Sequence, residues 1–135
     1  MMPKKTHFLL FLSAVLIILL AAVHIVASIF YLYWTIPWLD IPMHFLGGVW
    51  AAATALWVYF FSDYFGGRVF DKRVAWTIAL GSAVIIGIGW EIFEYVLSAT
   101  FASNYWLDTS IDLLLDVLGA TLLYSVVCRQ EFFRR

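Results

Sequence analysis

Leu107-Asp108-Thr109-Ser110-Ile111-Asp112-Leu113-Leu114-Leu115-Asp116-Val117-Leu118-Gly119-Ala120 is apolar enough to enter a membrane, yet it carries three aspartates spaced four residues apart. As a helix, this stretch turns about 100° and rises about 1.5 Å per residue. The three carboxylates then fall within an arc of about 80°, and Asp116 sits about 12 Å further along the axis than Asp108. An aspartate at the centre of a bilayer costs about 2.5–3.5 kcal/mol on insertion scales, and such residues normally face a bundle interior or a wet cavity. The stripe is therefore expected to face inward, with other helices supplying its partners.

The surrounding chain fits that setting. Of the 135 residues, 64% are hydrophobic and 13% charged, whereas charged residues make up about a quarter of a soluble domain. Four long apolar runs, at about residues 8–34, 42–61, 74–97 and 107–128, each exceed or match the roughly 20 residues that a spanning helix needs. In lipid such runs must satisfy their backbone groups internally, so the expectation is an all-α bundle of four transmembrane helices in a single domain, residues 1–135, without a sheet. The first run follows Lys4 and Lys5 but is too long for a signal-peptide core, so it reads as a retained helix. A single cysteine, Cys128, excludes an internal disulfide. Nothing in the charge pattern suggests nucleic acid as a partner; membrane lipid is the expected one.

Between the first two runs, Pro37 and Pro42 break the helix, and Asp40 is placed to cap the second. Gly47-Gly48 and Ala51-Ala52-Ala53 offer a smooth face for close helix approach, as do Gly81, Ser82, Ala83, Gly87 and Gly89 in the third run. Phe30, Tyr31, Tyr33 and Trp34 read as interfacial anchors.

With four spans, the eight basic residues (Lys4, Lys5, Arg68, Lys72, Arg73, Arg129, Arg134 and Arg135) all fall on one side. The positive-inside rule makes that side cytoplasmic and puts both termini there, in a multi-pass protein of the inner (plasma) membrane of a prokaryotic cell. Six of the nine acids show the opposite bias. Asp40, Glu91, Glu94, Asp108, Asp112 and Asp116 map to the outer ends or outer halves of their helices, as does His44. His24 lies just beyond the midpoint of the first span and reads as a hydrogen-bonded bundle histidine.

Carboxylates gathered in a low dielectric cannot all remain ionised: some take up protons, or a cation neutralises them. Oxygen donors with an imidazole suit Mg²⁺, Mn²⁺, Ca²⁺ or Zn²⁺. Asp40, His44, Glu91, Asp112 and Asp116 are the expected metal ligands, with Glu94 and Asp108 as the candidates for a catalytic general base. Such a site has the chemistry to activate water against a phosphate or ester, on a lipid or a lipid-linked envelope precursor. Two alternatives stand beside it. One is a proton or cation site in a small transporter. The other is a non-enzymatic envelope-stress or antibiotic-resistance accessory protein whose acids form a structural polar layer.

The pattern Asp40-x-x-x-His44-Phe45, Glu91 in a later span and Asp112-x-x-x-Asp116-x-x-Gly119-Ala120 resembles VanZ-like membrane proteins. The Glu91-x-x-Glu94 pair and the Asp108/Asp112/Asp116 series resemble still more closely the related YjdF-like group. The resemblance spans roughly the last two-thirds of the chain. What it implies is the location of the site more than any reaction.

Overall fold

A computed structural model describes residues 4–66, 68–97 and 104–129. Four of its helices are long and apolar enough to cross a membrane, and among the described residues there is no strand. The expected uncharged loop after the third span and the basic tail with Arg134 and Arg135 lie largely outside the described residues.

Helix α1 covers Lys4–Ile29 and ends five residues before Trp34, because Tyr31 adopts a left-handed backbone conformation with φ 54°. The short helix α2, Leu32–Thr35, and a 3-10 turn, Pro37–Leu39, then carry the chain across the end of the bundle. Helix α3 covers Asp40–Phe61. It tolerates Pro42 in its first turn, where the missing N–H would have no partner in the helix. Asp40 is its first residue and makes no capping bond; its carboxylate points instead toward His44, one turn on.

Helix α4 covers Lys72–Val96, capped by Asp71, whose Oδ1 accepts from the Arg73 and Val74 amides at 2.8 and 2.9 Å. Helix α5 covers Tyr105–Arg129. Asn104 caps it, accepting from the Leu107 amide at 3.3 Å.

Helix α3 is the hub, packing on α5, α4 and α1; α4 also packs on α5, while α1 rests chiefly on α3. Helices α3 and α5 run parallel and cross closely. A Cβ at Gly48 would overlap the Asp116 carbonyl, and one at Gly119 would overlap the Phe45 carbonyl. Only glycine permits that approach. The second small-residue face behaves differently. Ala83 is buried and Gly87 opposes Asp116, but among the described residues nothing lies within reach of a Cβ at Gly81 or Gly89.

The two ends of the bundle differ in chemistry. Leu9, Leu56, Phe60, Ala75, Ala79, Leu123 and Val127 fill one end with an apolar core. That end also holds the N-termini of α1 and α4 and the C-termini of α3 and α5, hence Lys72, Arg73 and Arg129. The buried ionisable groups His44, Glu91, Asp112 and Asp116 gather toward the opposite end.

Candidate functional site

His44 stands at the centre of the polar end. It lies on the second turn of α3 and is 5% exposed. Its Nε2 faces three carboxylate oxygens from three helices: Asp40 Oδ1 at 3.8 Å, Glu91 Oε1 at 3.9 Å and Asp112 Oδ2 at 4.0 Å. These separations are too long for hydrogen bonds, which fall at about 2.7–3.2 Å. Ligands on a common ion at about 2.1 Å stand roughly 3.4 Å apart in a tetrahedral arrangement, so the oxygens would have to close on His44 by about half an ångström to share one. The donor atoms of Asp40, His44 and Asp112 all lie within 4.8 Å of one another.

Glu91 completes the ring in a specific way. The Thr109 hydroxyl donates to its Oε2 at 2.5 Å, while Oε1, the atom facing His44, is buried without a hydrogen-bond partner among the described residues. A buried acceptor left unpaired costs about 1–3 kcal/mol, and more when charged. The repulsion is comparable: two like charges 4.8 Å apart repel by about 3.5 kcal/mol at an effective dielectric of 20. The ring gathers three carboxylates around a single imidazole.

Asp116 stands on the other side of the imidazole. Its Oδ2 is 3.5 Å from His44 Nδ1, so it is not grouped with the three oxygens around Nε2. This separates it from the other expected ligands. Its carboxylate fits because Gly87 of α4 and Gly47 of α3 lie against it; a Cβ at Gly87 would strike Oδ2, and one at Gly47 would sit 3.5 Å from Oδ1. Glu94 is half-buried one turn beyond Glu91 and sits within electrostatic reach of Asp40 and Glu91. Asp108 is half-buried and within electrostatic reach of Asp40 and Asp112. Neither of these two candidate bases has a close ion pair with His44.

The site opens on the Asp40 side, whose side chain is 26% exposed against 5–6% for His44, Glu91, Asp112 and Asp116. Beyond Asp40 lies a cavity of about 310 Å³ between α1, α3 and α4. His24 lines it and belongs to a separate polar group: its Nδ1 is 3.0 Å from the Tyr33 hydroxyl, and its ring meets Trp90 edge-on with centroids 5.0 Å apart.

Tyr33 was not legible as a site residue. It is 7% exposed, whereas its neighbours Phe30, Tyr31 and Trp34 are 61–69% exposed as interfacial anchors should be. Burial, reinforced by the negative charge of Asp40 and Glu94, pushes its phenol up to about 12. Thr109 was also missed. Its position one residue after Asp108 is the only sequence signal that it flanks the acidic stripe.

Comparison with known proteins adds one finding. The family described as "Predicted membrane protein (DUF2238)" matches residues 5–131, a description that names neither VanZ-like nor YjdF-like proteins. No curated protein and no solved structure matches the chain.

Proposed function

This chain belongs to the membrane-protein family that matches residues 5–131, and on that premise we propose that its polar end binds one divalent cation. In the same proposal the loaded site acts on the head group of a lipid or a lipid-linked envelope precursor. The observation that carries the reading is the convergence of carboxylates from three helices on His44. One imidazole nitrogen faces three carboxylate oxygens at 3.8–4.0 Å, and one of those oxygens is buried with no hydrogen-bond partner among the described residues.

In this reading Asp40, His44 and Asp112 hold the ion and Glu91 Oε1 completes the set. Asp116 is a positioning residue: its contact with Nδ1 fixes the ring and directs Nε2 to the ion, as carboxylates commonly do behind metal-bound histidines. Thr109 orients Glu91 by occupying its other oxygen. A divalent ion offsets the carboxylate charge, and when bound it supplies Lewis-acid chemistry toward a phosphate or ester. Glu94 and Asp108, half-buried within electrostatic reach of Asp40, are the candidates for a general base. The oxygen-rich donor set suits Mg²⁺, Mn²⁺, Ca²⁺ or Zn²⁺.

The resemblance to VanZ-like and YjdF-like proteins supports the same residues as the site. The positive-inside rule supports an orientation with both termini in the cytoplasm and the site beneath the outer face of the plasma membrane. A transport path is less well supported, because Leu9, Leu56, Phe60 and Val127 close the opposite end with apolar side chains. A closed structural layer is less well supported, because such a layer would pair Glu91 Oε1.

Metal analysis of the purified full chain after dialysis against Mn²⁺ tests the reading. Wild type should retain the ion and melt higher with it than after chelation. His44→Ala and Asp112→Asn should retain none. Asp116→Asn should bind about 10–100-fold more weakly, the usual cost of losing an orienting carboxylate. Wild-type protein that takes up no divalent cation and melts identically in chelator would overturn the proposal.

A further inference from the structure

We propose that the cavity between α1 and α4 takes one acyl chain of a membrane phospholipid, drawn in sideways from the bilayer, with the polar end of that lipid beside Tyr33 and Asp40. The seat for the chain stands on its own evidence. Only the meeting of the head group with an ion rests on the reading above.

The cavity exists because α1 is held chiefly by α3, so α1 and α4 diverge. Its mouth faces lipid: the lining residues Ile17, Ile25 and Ile86 are 41%, 55% and 46% exposed on the apolar flank of the bundle. Its polarity is one-ended. Tyr33 and Asp40 lie at the end of the bundle, His24 and His44 follow within two turns, Asp116 lies deepest, and the remaining lining is apolar apart from the Trp50 and Trp90 indoles. That is the polarity of a lipid lying with its head at the interface and its tail in the hydrocarbon.

Size separates the candidate occupants. The cavity measures about 310 Å³, roughly twice the 150 Å³ void that admits benzene, so it holds on the order of a dozen carbons. A single helical turn 10 Å wide and 5.4 Å long already occupies about 420 Å³, which rules out a helix from a partner or a second copy. Water needs two to four polar partners, which the apolar part of the lining does not offer. Hydrocarbon is the surrounding medium and needs none.

Native mass spectrometry of the full chain in mild detergent, with added dioleoyl phosphatidylglycerol, tests this. Wild type should retain a single-lipid adduct that excess glycerol phosphate, the head group without chains, does not displace. Ala21 lines the cavity at an exposed position of α1, so Ala21→Phe should fill the seat and lose the adduct while still taking up Mn²⁺. Asp112→Asn should lose Mn²⁺ and keep the lipid. If Ala21→Phe does not fold, Ile17→Trp at the mouth serves the same purpose. Adducts retained by a folded, filled variant would overturn the proposal, as would their displacement by glycerol phosphate. Preferential retention of a polyprenyl phosphate would overturn the acyl assignment. Loss of Mn²⁺ binding throughout, with the lipid result intact, would sink the cation reading and leave this one standing.

Discussion

Tyr33 shows how one residue can join two parts of the polar end. Its hydroxyl meets His24 at 3.0 Å, and its phenol, pushed up to about 12 by burial and the nearby acids, stays protonated through the physiological range. In an unfolded chain the same phenol ionises near 10. Below pH 10 both states hold the proton, and Tyr33 adds no pH dependence. Between about 10 and 12 the unfolded chain has lost the proton and the folded chain has kept it, so stability falls as pH rises through that window. Phenolate absorbance should therefore include a component that titrates near 12, and Tyr33→Phe should shrink it. A Tyr33→Phe titration identical to wild type would refute the assignment. Position alone did not reveal this residue. Tyr33 sits among Phe30, Tyr31 and Trp34, which are exposed, and the left-handed turn at Tyr31 that separates it from them depends on how the chain folds back over the bundle. By contrast, the inward aspartates were legible because their spacing fixes a single helical face. What the spacing could not convey is which imidazole nitrogen each carboxylate meets. That depends on the crossing of α3 with α5, and it is what separates Asp116 from Asp112.

At the scale of the element, the crossing of α3 and α5 makes the site possible, and glycines make the crossing possible. Gly48 and Gly119 each lie against backbone of the facing helix, which cannot move aside as a flexible side chain can. Gly48→Ala and Gly119→Ala should each destabilise the protein by about 1–3 kcal/mol, the usual range for overpacking a filled interior. Both should also weaken cation binding, because they shift Asp112 and Asp116 relative to His44. Gly81→Ala and Gly89→Ala make the matched comparison. A Cβ there meets nothing, and alanine is favoured over glycine in a helix by about 1 kcal/mol, so their melting temperatures in detergent should hold or rise. Equal losses at all four positions would show that helix propensity in lipid, and not the close crossing, governs these glycines. Both small-residue stripes looked alike in the sequence. Composition marks where close approach is permitted, but a neighbour has to be present, and among the described residues none lies against Gly81 or Gly89.

Across the whole molecule, charge and polarity are segregated along the bundle axis, and that segregation carries the proposed orientation. Arg68, Lys72, Arg73 and Arg129 lie toward the end closed by the apolar core, and the acidic ring lies toward the other. The four-helix count was legible because long apolar runs have few folded solutions in lipid; the direction of insertion follows from lysine and arginine placement instead. A single-cysteine experiment separates the two faces without altering either charge set. In a Cys128→Ser background, Tyr64→Cys places a thiol at an 89% exposed position beside the basic loop, and Asn104→Cys places one at the exposed start of α5. On intact cells an impermeant maleimide should label Asn104→Cys, and it should label Tyr64→Cys only after the membrane is opened. The opposite pattern would turn the ring toward the cytoplasm. The site would then draw its cation from the cell interior, and the proposed lipid would come from the inner leaflet. Labelling of both positions on intact cells would mean that the chain inserts in two directions, and an orientation set by its basic residues would no longer hold.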